Sequence, residues 1–163
     1  MNTLAAQVGA ALHQHGMMLA TAESCTGGGV ASAVTEIAGS SAWFERGFVT
    51  YSNQAKTDML GVSADTLARF GAVSEATVRE MVAGALQHSQ AQISLAVSGI
   101  AGPGGGTAEK PVGTVWFAWG IKDGATVARR HQLPGDRAEI RAQAVHIALQ
   151  GVLDILDQQT HLA

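Results

Sequence analysis

The 163-residue chain holds little of what marks a specialised protein class. Its single cysteine, Cys25, excludes an internal disulfide and any zinc site built from several thiolates. No run approaches the roughly 18 apolar residues of a membrane span, and the amino terminus carries no basic stretch followed by an apolar signal region. Together these set a cytoplasmic expectation. Charged residues make up 14% of the chain and the net charge is −3, which gives neither nucleic acid nor a membrane surface an electrostatic footing. The six histidines (His13, His15, His88, His131, His146, His161) contain no His-x-x-x-His pair, so no metal site is expected.

What is present points to one globular unit spanning residues 1–163. Hydrophobic residues make up 47%, yet alanine and glycine supply 49 residues and aromatics only eight. A core filled by small side chains suits helices packed closely on a sheet.

Leu4, Ala5, Val8, Ala11 and Leu12 recur at helical spacing, with Gly16 as the stop. Residues 17–22 predict a buried strand running into Glu23-Ser24-Cys25-Thr26-Gly27-Gly28-Gly29. Val30, Ala31, Val34 and Ile37 outline a second helix that stops near Gly39, which places the glycine-rich turn at a helix N-terminus. Phe48-Val49-Thr50-Tyr51 is β-prone, and Asn53 is expected to cap a helix that carries Lys56, Met59 and Leu60 and closes at Gly61. Ser63 starts a short helix ending around Phe70-Gly71, and 75–88 is the clearest amphipathic helix. Residues 93–98 form the next strand. Segments 113–121 and 125–133 flank Lys122-Asp123-Gly124, a hairpin signal. Asp136 with Glu139 caps a last helix running to about Asp157. Its apolar face is too wide for one neighbour, which raises the expectation of a homo-oligomer, a dimer or higher. The predicted fold class is α/β: a sandwich of helices on a mixed, mostly parallel β-sheet with an antiparallel edge hairpin.

In open α/β sheets ligands collect beyond the carboxyl ends of strands. Three such ends carry polar or glycine-rich sequence: 23–29, 51–56 and 98–106. The first places backbone N–H groups and the hydroxyls of Ser24 and Thr26 at the positive end of a helix, as an anion or oxyanion site or as a tight turn with a hydroxyl cap. It is neither Gly-x-Gly-x-x-Gly nor a Gly-Lys-Ser/Thr phosphate loop, so it does not support dinucleotide or ATP binding. The second holds Lys56, one of three lysines, close after Ser52 and the sole tyrosine, Tyr51. A lysine made neutral by burial takes a proton from a serine hydroxyl; the plain alternative is an exposed lysine on a helix. The third offers backbone donors and the Ser98 hydroxyl, with Lys110 just beyond, either to wrap a phosphate or ribose or to serve as a crossover loop. Arg137 and Arg141 either reach a phosphate through a bidentate contact or pair with Glu139. No histidine lies in these segments, which counts against a Ser-His-Asp site.

Several longer motifs occur in order: Thr21-Ala22-Glu23-Ser24-Cys25-Thr26-Gly27-Gly28, Thr50-Tyr51-Ser52-Asn53-Gln54-Ala55-Lys56, Gly71-Ala72-Val73-Ser74, Ser98-Gly99-Ile100-Ala101-Gly102-Pro103-Gly104-Gly105 and Lys110-Pro111-Val112-Gly113-Thr114-Val115-Trp116. Together they resemble the C-terminal domain family of competence/damage-inducible protein CinA, in its stand-alone nicotinamide-nucleotide amidohydrolase form. The resemblance runs from about Leu4 to Leu156. It implies hydrolysis of the carboxamide of nicotinamide mononucleotide to nicotinate mononucleotide and ammonia in pyridine-nucleotide (NAD) recycling, with neither metal nor organic cofactor. It also implies a serine-lysine mechanism, with Lys56 as the base and Tyr51 orienting or relaying a proton. Ser24 and Ser41, the latter in Gly39-Ser40-Ser41-Ala42-Trp43-Phe44, compete for the nucleophile's role. Cys25 is a third candidate, on the opposite face from Ser24 if the strand persists that far. Thr26, Gly27, Gly28, Asn53, Ser98, Gly99, Gly102, Arg137 and Arg141 are the expected substrate-binding residues, Ser98 and one arginine taking the ribose phosphate. The alternative from another class is a catalytically silent nucleotide-binding or regulatory module of the same fold. A protein-interaction domain is a third, without electrostatic support.

Overall fold

The computed structural model describes residues 2–162, with side chains described for residues 2–159. In chain order the elements are α1 (Asn2–His15), β1 (Leu19–Glu23), α2 (Gly29–Thr35), a 3-10 turn (Ser40–Ala42), β2 (Phe44–Val49), α3 (Asn53–Leu60), α4 (Ala64–Phe70), α5 (Glu75–Gln87), β3 (Ile93–Gly99), β4 (Thr114–Ile121), β5 (Thr126–Gln132) and α6 (Arg137–Leu162). The sheet order is β2-β1-β3-β4-β5. β1 pairs parallel with both β2 and β3, while β4 pairs antiparallel with β3 and with β5. The predicted mixed sheet with an antiparallel edge hairpin is therefore observed, Asp123 taking a φ of 59° in the turn.

The two faces differ because side chains alternate along each strand. Leu19, Ile93, Leu95, Val97, Val115, Phe117 and Trp119 join one apolar cluster with α1, α2 and α6. The opposite face presents Ala20, Ala22, Ala96 and Ala118 to α5. The small residues read from the composition thus do specific work: they let α5 lie close on the sheet. A Cβ on Gly120 would stand 2.5 Å from Val82 Cγ1.

Four expectations change in detail. Helix α2 ends at Thr35, and Gly39, at φ 84°, instead starts the 3-10 turn. β2 ends at Val49; Thr50 N–H still donates to Glu23 O at 2.8 Å before the chain leaves the sheet. The cap of α3 is Ser52, whose hydroxyl accepts from Ala55 N–H at 3.0 Å, and Asn53 is the first helical residue. The wide apolar face of α6 packs inside the chain against α1, α2 and the sheet. The helix also runs beyond Asp157, and its Asp136–Glu139 capping box forms reciprocally at 2.9 and 3.0 Å. No described helix is long and apolar enough to cross a membrane.

Candidate active site

The chain passes from β1 to β2 on one side, then crosses back over β1 to reach β3 on the other. Reversal of direction leaves a crevice at the strands' carboxyl ends. A cleft of about 240 Å³ opens there, lined by segments 24–25, 51–56, 72–73 and 98–101 and by Arg137. All three sequence segments singled out for chemistry contribute to it. Ala72 and Val73 appeared only inside a family motif and had no chemical reason to be picked.

Lys56 sits in the first turn of α3 and is 1% exposed, the bulkiest of the fully buried side chains. Its Nζ lies 3.0 Å from each of three oxygens: Ser24 Oγ, Thr50 O and Tyr51 O. The two carbonyls can only accept, so they fix two N–H bonds of the amine. The third direction, toward Ser24 Oγ, holds an N–H in the charged form and the lone pair in the neutral form. Burial pushes the Lys56 amine below the ordinary lysine range, against a smaller opposing effect of Cys25. The nearby positive end of α3 acts in the same direction as burial. The Ser24 hydroxyl also donates to Tyr51 O at 3.4 Å, a long contact that leaves its proton weakly held.

Ser24 is held by the turn that follows β1. Its N–H donates to Val97 O at 3.0 Å, continuing the ladder one residue past the strand. Gly27 and Gly28 then take φ values of 59° and 98°, left-handed conformations that need no Cβ. The expected anion site at the start of α2 is already taken. Glu23, 1% exposed, accepts from Val30 N–H at 2.8 Å, Ala31 N–H at 3.1 Å and Thr26 Oγ1 at 2.6 Å. A carboxylate of the chain itself thus satisfies the free donors of the helix, which explains why Gly28, its N-cap, offers no side-chain cap. Thr26, Gly27 and Gly28 shape this turn and do not line the cleft. The sequence signal for Glu23 was a carboxylate just ahead of a helix that lacks a hydroxyl cap.

The remaining expected residues separate by position. Ser41 lies in the 3-10 turn before β2, at the opposite end of the strands; the length of β2 puts it roughly 20 Å from the cleft. It is exposed and does not meet Lys56. Cys25 joins the apolar cluster although β1 stops at Glu23 and the residue lies in the turn, and burial pushes its thiol up to about 11. Tyr51 meets Ser24 and Lys56 through its backbone carbonyl only; the residue is 61% exposed at the mouth, and its hydroxyl accepts from Arg137 Nη2 at 3.4 Å. That placement removes the phenol from any proton relay between Ser24 and Lys56. Arg137 also donates to Gly102 O at 2.7 Å. Arg141 is turned to the back of the turn, donating to Cys25 O at 3.0 Å and Thr26 O at 3.3 Å. Asn53, Ser98 and Gly99 line the cleft, whereas Gly102 faces Arg137. The described residues contain no cluster of three or more metal-ligating side chains.

The family model of the CinA C-terminal domain matches residues 1–156. The nicotinamide-nucleotide amidohydrolase PncC of Escherichia coli K12 is 58% identical over 147 residues, which cover 90% of this chain and 89% of that protein. PncC of Enterobacter agglomerans is 54% identical over 153 residues, covering 94% and 93%. Among solved structures, a competence/damage-inducible protein from Agrobacterium tumefaciens superposes with a TM-score of 0.92 at 50% identity, covering 96% of this chain and 94% of that one.

Proposed function

The chain belongs to the CinA C-terminal domain family, and from that premise we propose that it hydrolyses the carboxamide of nicotinamide mononucleotide (NMN) to nicotinate mononucleotide and ammonia, residues 1–163 acting as one cytoplasmic amidohydrolase domain. The observation that carries the chemistry is the 3.0 Å contact between Lys56 Nζ and Ser24 Oγ, made where the amine is buried and two carbonyls aim it.

In the first half-reaction, neutral Lys56 takes the Ser24 hydroxyl proton as Oγ attacks the carboxamide carbon. The carbonyl π electrons move to oxygen, giving a tetrahedral oxyanion beside the Ser24 turn. Collapse re-forms the carbonyl and breaks the C–N bond, and Lys56 returns its proton to the departing nitrogen, releasing ammonia. The nicotinate mononucleotide acyl group, ribose phosphate still attached, is left esterified to Ser24. In the second half-reaction a water attacks that ester while Lys56 accepts its proton. The proton then passes to Ser24 Oγ as the acid departs. One amide and one water give one carboxylic acid, which ionises, and one ammonia.

Arg137, lining the cleft with part of its guanidinium free, takes the ribose phosphate, with Ser98 and Asn53 on the sugar side. Arg141 and Glu23 hold the Ser24 turn from its two sides. Ammonia release from NMN, insensitive to chelator and lost in folded Lys56→Ala, is the expected result. Full activity in that variant removes the mechanism, and tight NMN binding with no turnover by the wild type favours a silent binding module instead.

A further inference from the structure

The cleft poses an electrostatic problem for the substrate proposed above, on which this inference rests. The ring nitrogen of NMN carries the ribose and is therefore a pyridinium, a permanent cation. None of the cleft-lining residues is an aspartate or glutamate, and two of them, Lys56 and Arg137, are basic. The phosphate offsets Arg137, but it hangs from the far side of the ribose and leaves the ring's own charge unmatched. The lining contains one group that attracts a flat cation without a formal charge, the ring of Tyr51.

We propose that Tyr51 is the specificity-determining residue for the charged ring: its aromatic face seats the pyridinium and selects it over an uncharged ring bearing the same carboxamide. Three observations carry this. First, the carbonyl of Tyr51 accepts from both Lys56 Nζ and Ser24 Oγ, so one residue's covalent frame places its ring beside the point of attack, and the substrate ring is a single bond from the attacked carbon. Second, the side chain is 61% exposed at the mouth, with no packing role in either apolar cluster to account for an aromatic there. Third, the Tyr51 hydroxyl accepts from Arg137 Nη2 at 3.4 Å, tying the ring to the arginine assigned to the phosphate.

The test uses NMN and its dihydro form, which keeps the ribose phosphate and the carboxamide but has an uncharged, non-aromatic ring. Calorimetric binding is measured in the full chain carrying Lys56→Ala, so that neither ligand is consumed. With Tyr51 present, NMN is expected to bind about three- to thirty-fold more tightly than the dihydro form. Tyr51→Phe keeps that ratio, Tyr51→Trp raises it, and Tyr51→Leu brings it close to one while both ligands still bind through the phosphate. The side chain's exposure protects the fold of all three variants, and a thermal melt checks it. An unchanged ratio in Tyr51→Leu overturns the proposal, as does a loss in Tyr51→Phe equal to that in Tyr51→Leu, which would assign the effect to the hydroxyl. Ammonia release by the wild type with an unchanged ratio sinks this inference alone. Absence of release, with the ratio still dependent on residue 51, sinks the hydrolysis alone.

Discussion

Helix α6 borders two concavities, and they could hardly be less alike. Its first residue, Arg137, reaches the cleft of about 240 Å³ at the strand ends, while its later turns line a groove of about 440 Å³ against β4 and β5. The groove is the larger and is floored by Trp119, Val127, Ile147 and Ile155. Its polar groups, however, pair along their own elements: Gln150 donates to Asp154 one turn on, and Arg129 Nη1 to the adjacent Ala128 O. In the cleft, the Ser24 hydroxyl from the turn after β1 and the Thr50 and Tyr51 carbonyls from the loop before α3 converge on one buried amine of α3. Size is not what singles out the cleft as the candidate site. Convergence of buried polar groups from distant parts of the chain is, because the fold bears their desolvation cost only where geometry repays it.

The sharpest way to break this contrast is Ser24→Ala, expected to lower kcat by about 10³-fold or more with an unchanged melting temperature. Cys25→Ala alongside it is expected to stay within about three-fold, since a thiol at about 11 is protonated at neutral pH. Comparable losses in both variants would return the nucleophile to question.

The pH profile comes next. Only neutral Lys56 accepts a proton, so the rate falls about tenfold per unit as pH drops below the amine's pKa, and that limb lies below the ordinary 10.5. Stability carries the same signature. Between the depressed native pKa and 10.5 the unfolded chain binds more protons, so native stability rises with pH across that window. A stopped-flow rate profile and a set of urea melts check the two limbs, and Lys56→Met flattens both.

On the groove side the effects are smaller and structural. Gly151→Ala drives a Cβ into the Trp119 indole, in the seam where Trp119 Nε1 donates to Ala148 O at 2.8 Å. Overpacking of that kind costs about 1–3 kcal/mol, a fall of several degrees in Tm by calorimetry with kcat unchanged. Smallest of all is His146→Ala, on the groove's exposed rim, for which an ammonia assay is expected to show no change.

Much of this was legible from local patterns. Glycine and serine punctuation located the helix ends at Gly16, Gly61 and Ser63, and Asp123-Gly124 marked the hairpin. Backbone conformation at such points is decided within a few residues. The misreadings have a shared cause. Asn53 and Ser52 are both good caps, and only the entry angle of the chain chooses between them. The breadth of α6's apolar face is met by α1, α2 and the sheet, and sequence alone does not count how many neighbours a helix has.

The candidate site divides in the same way. Residue types and the order of motifs identified Lys56, Ser24 and the three strand ends, because chemistry constrains which side chains serve and periodicity constrains where strands stop. Whether Ser24 or Ser41 faces the lysine depended on which end of a parallel pair each residue occupies, and that is a matter of strand direction across the sheet. Likewise a helix start offers donors to any anion, yet Glu23 reached it first. The chain's own letters determine which groups are available; contacts between residues far apart in sequence decide which of them meet, since those distances are set by packing rather than by neighbouring residues.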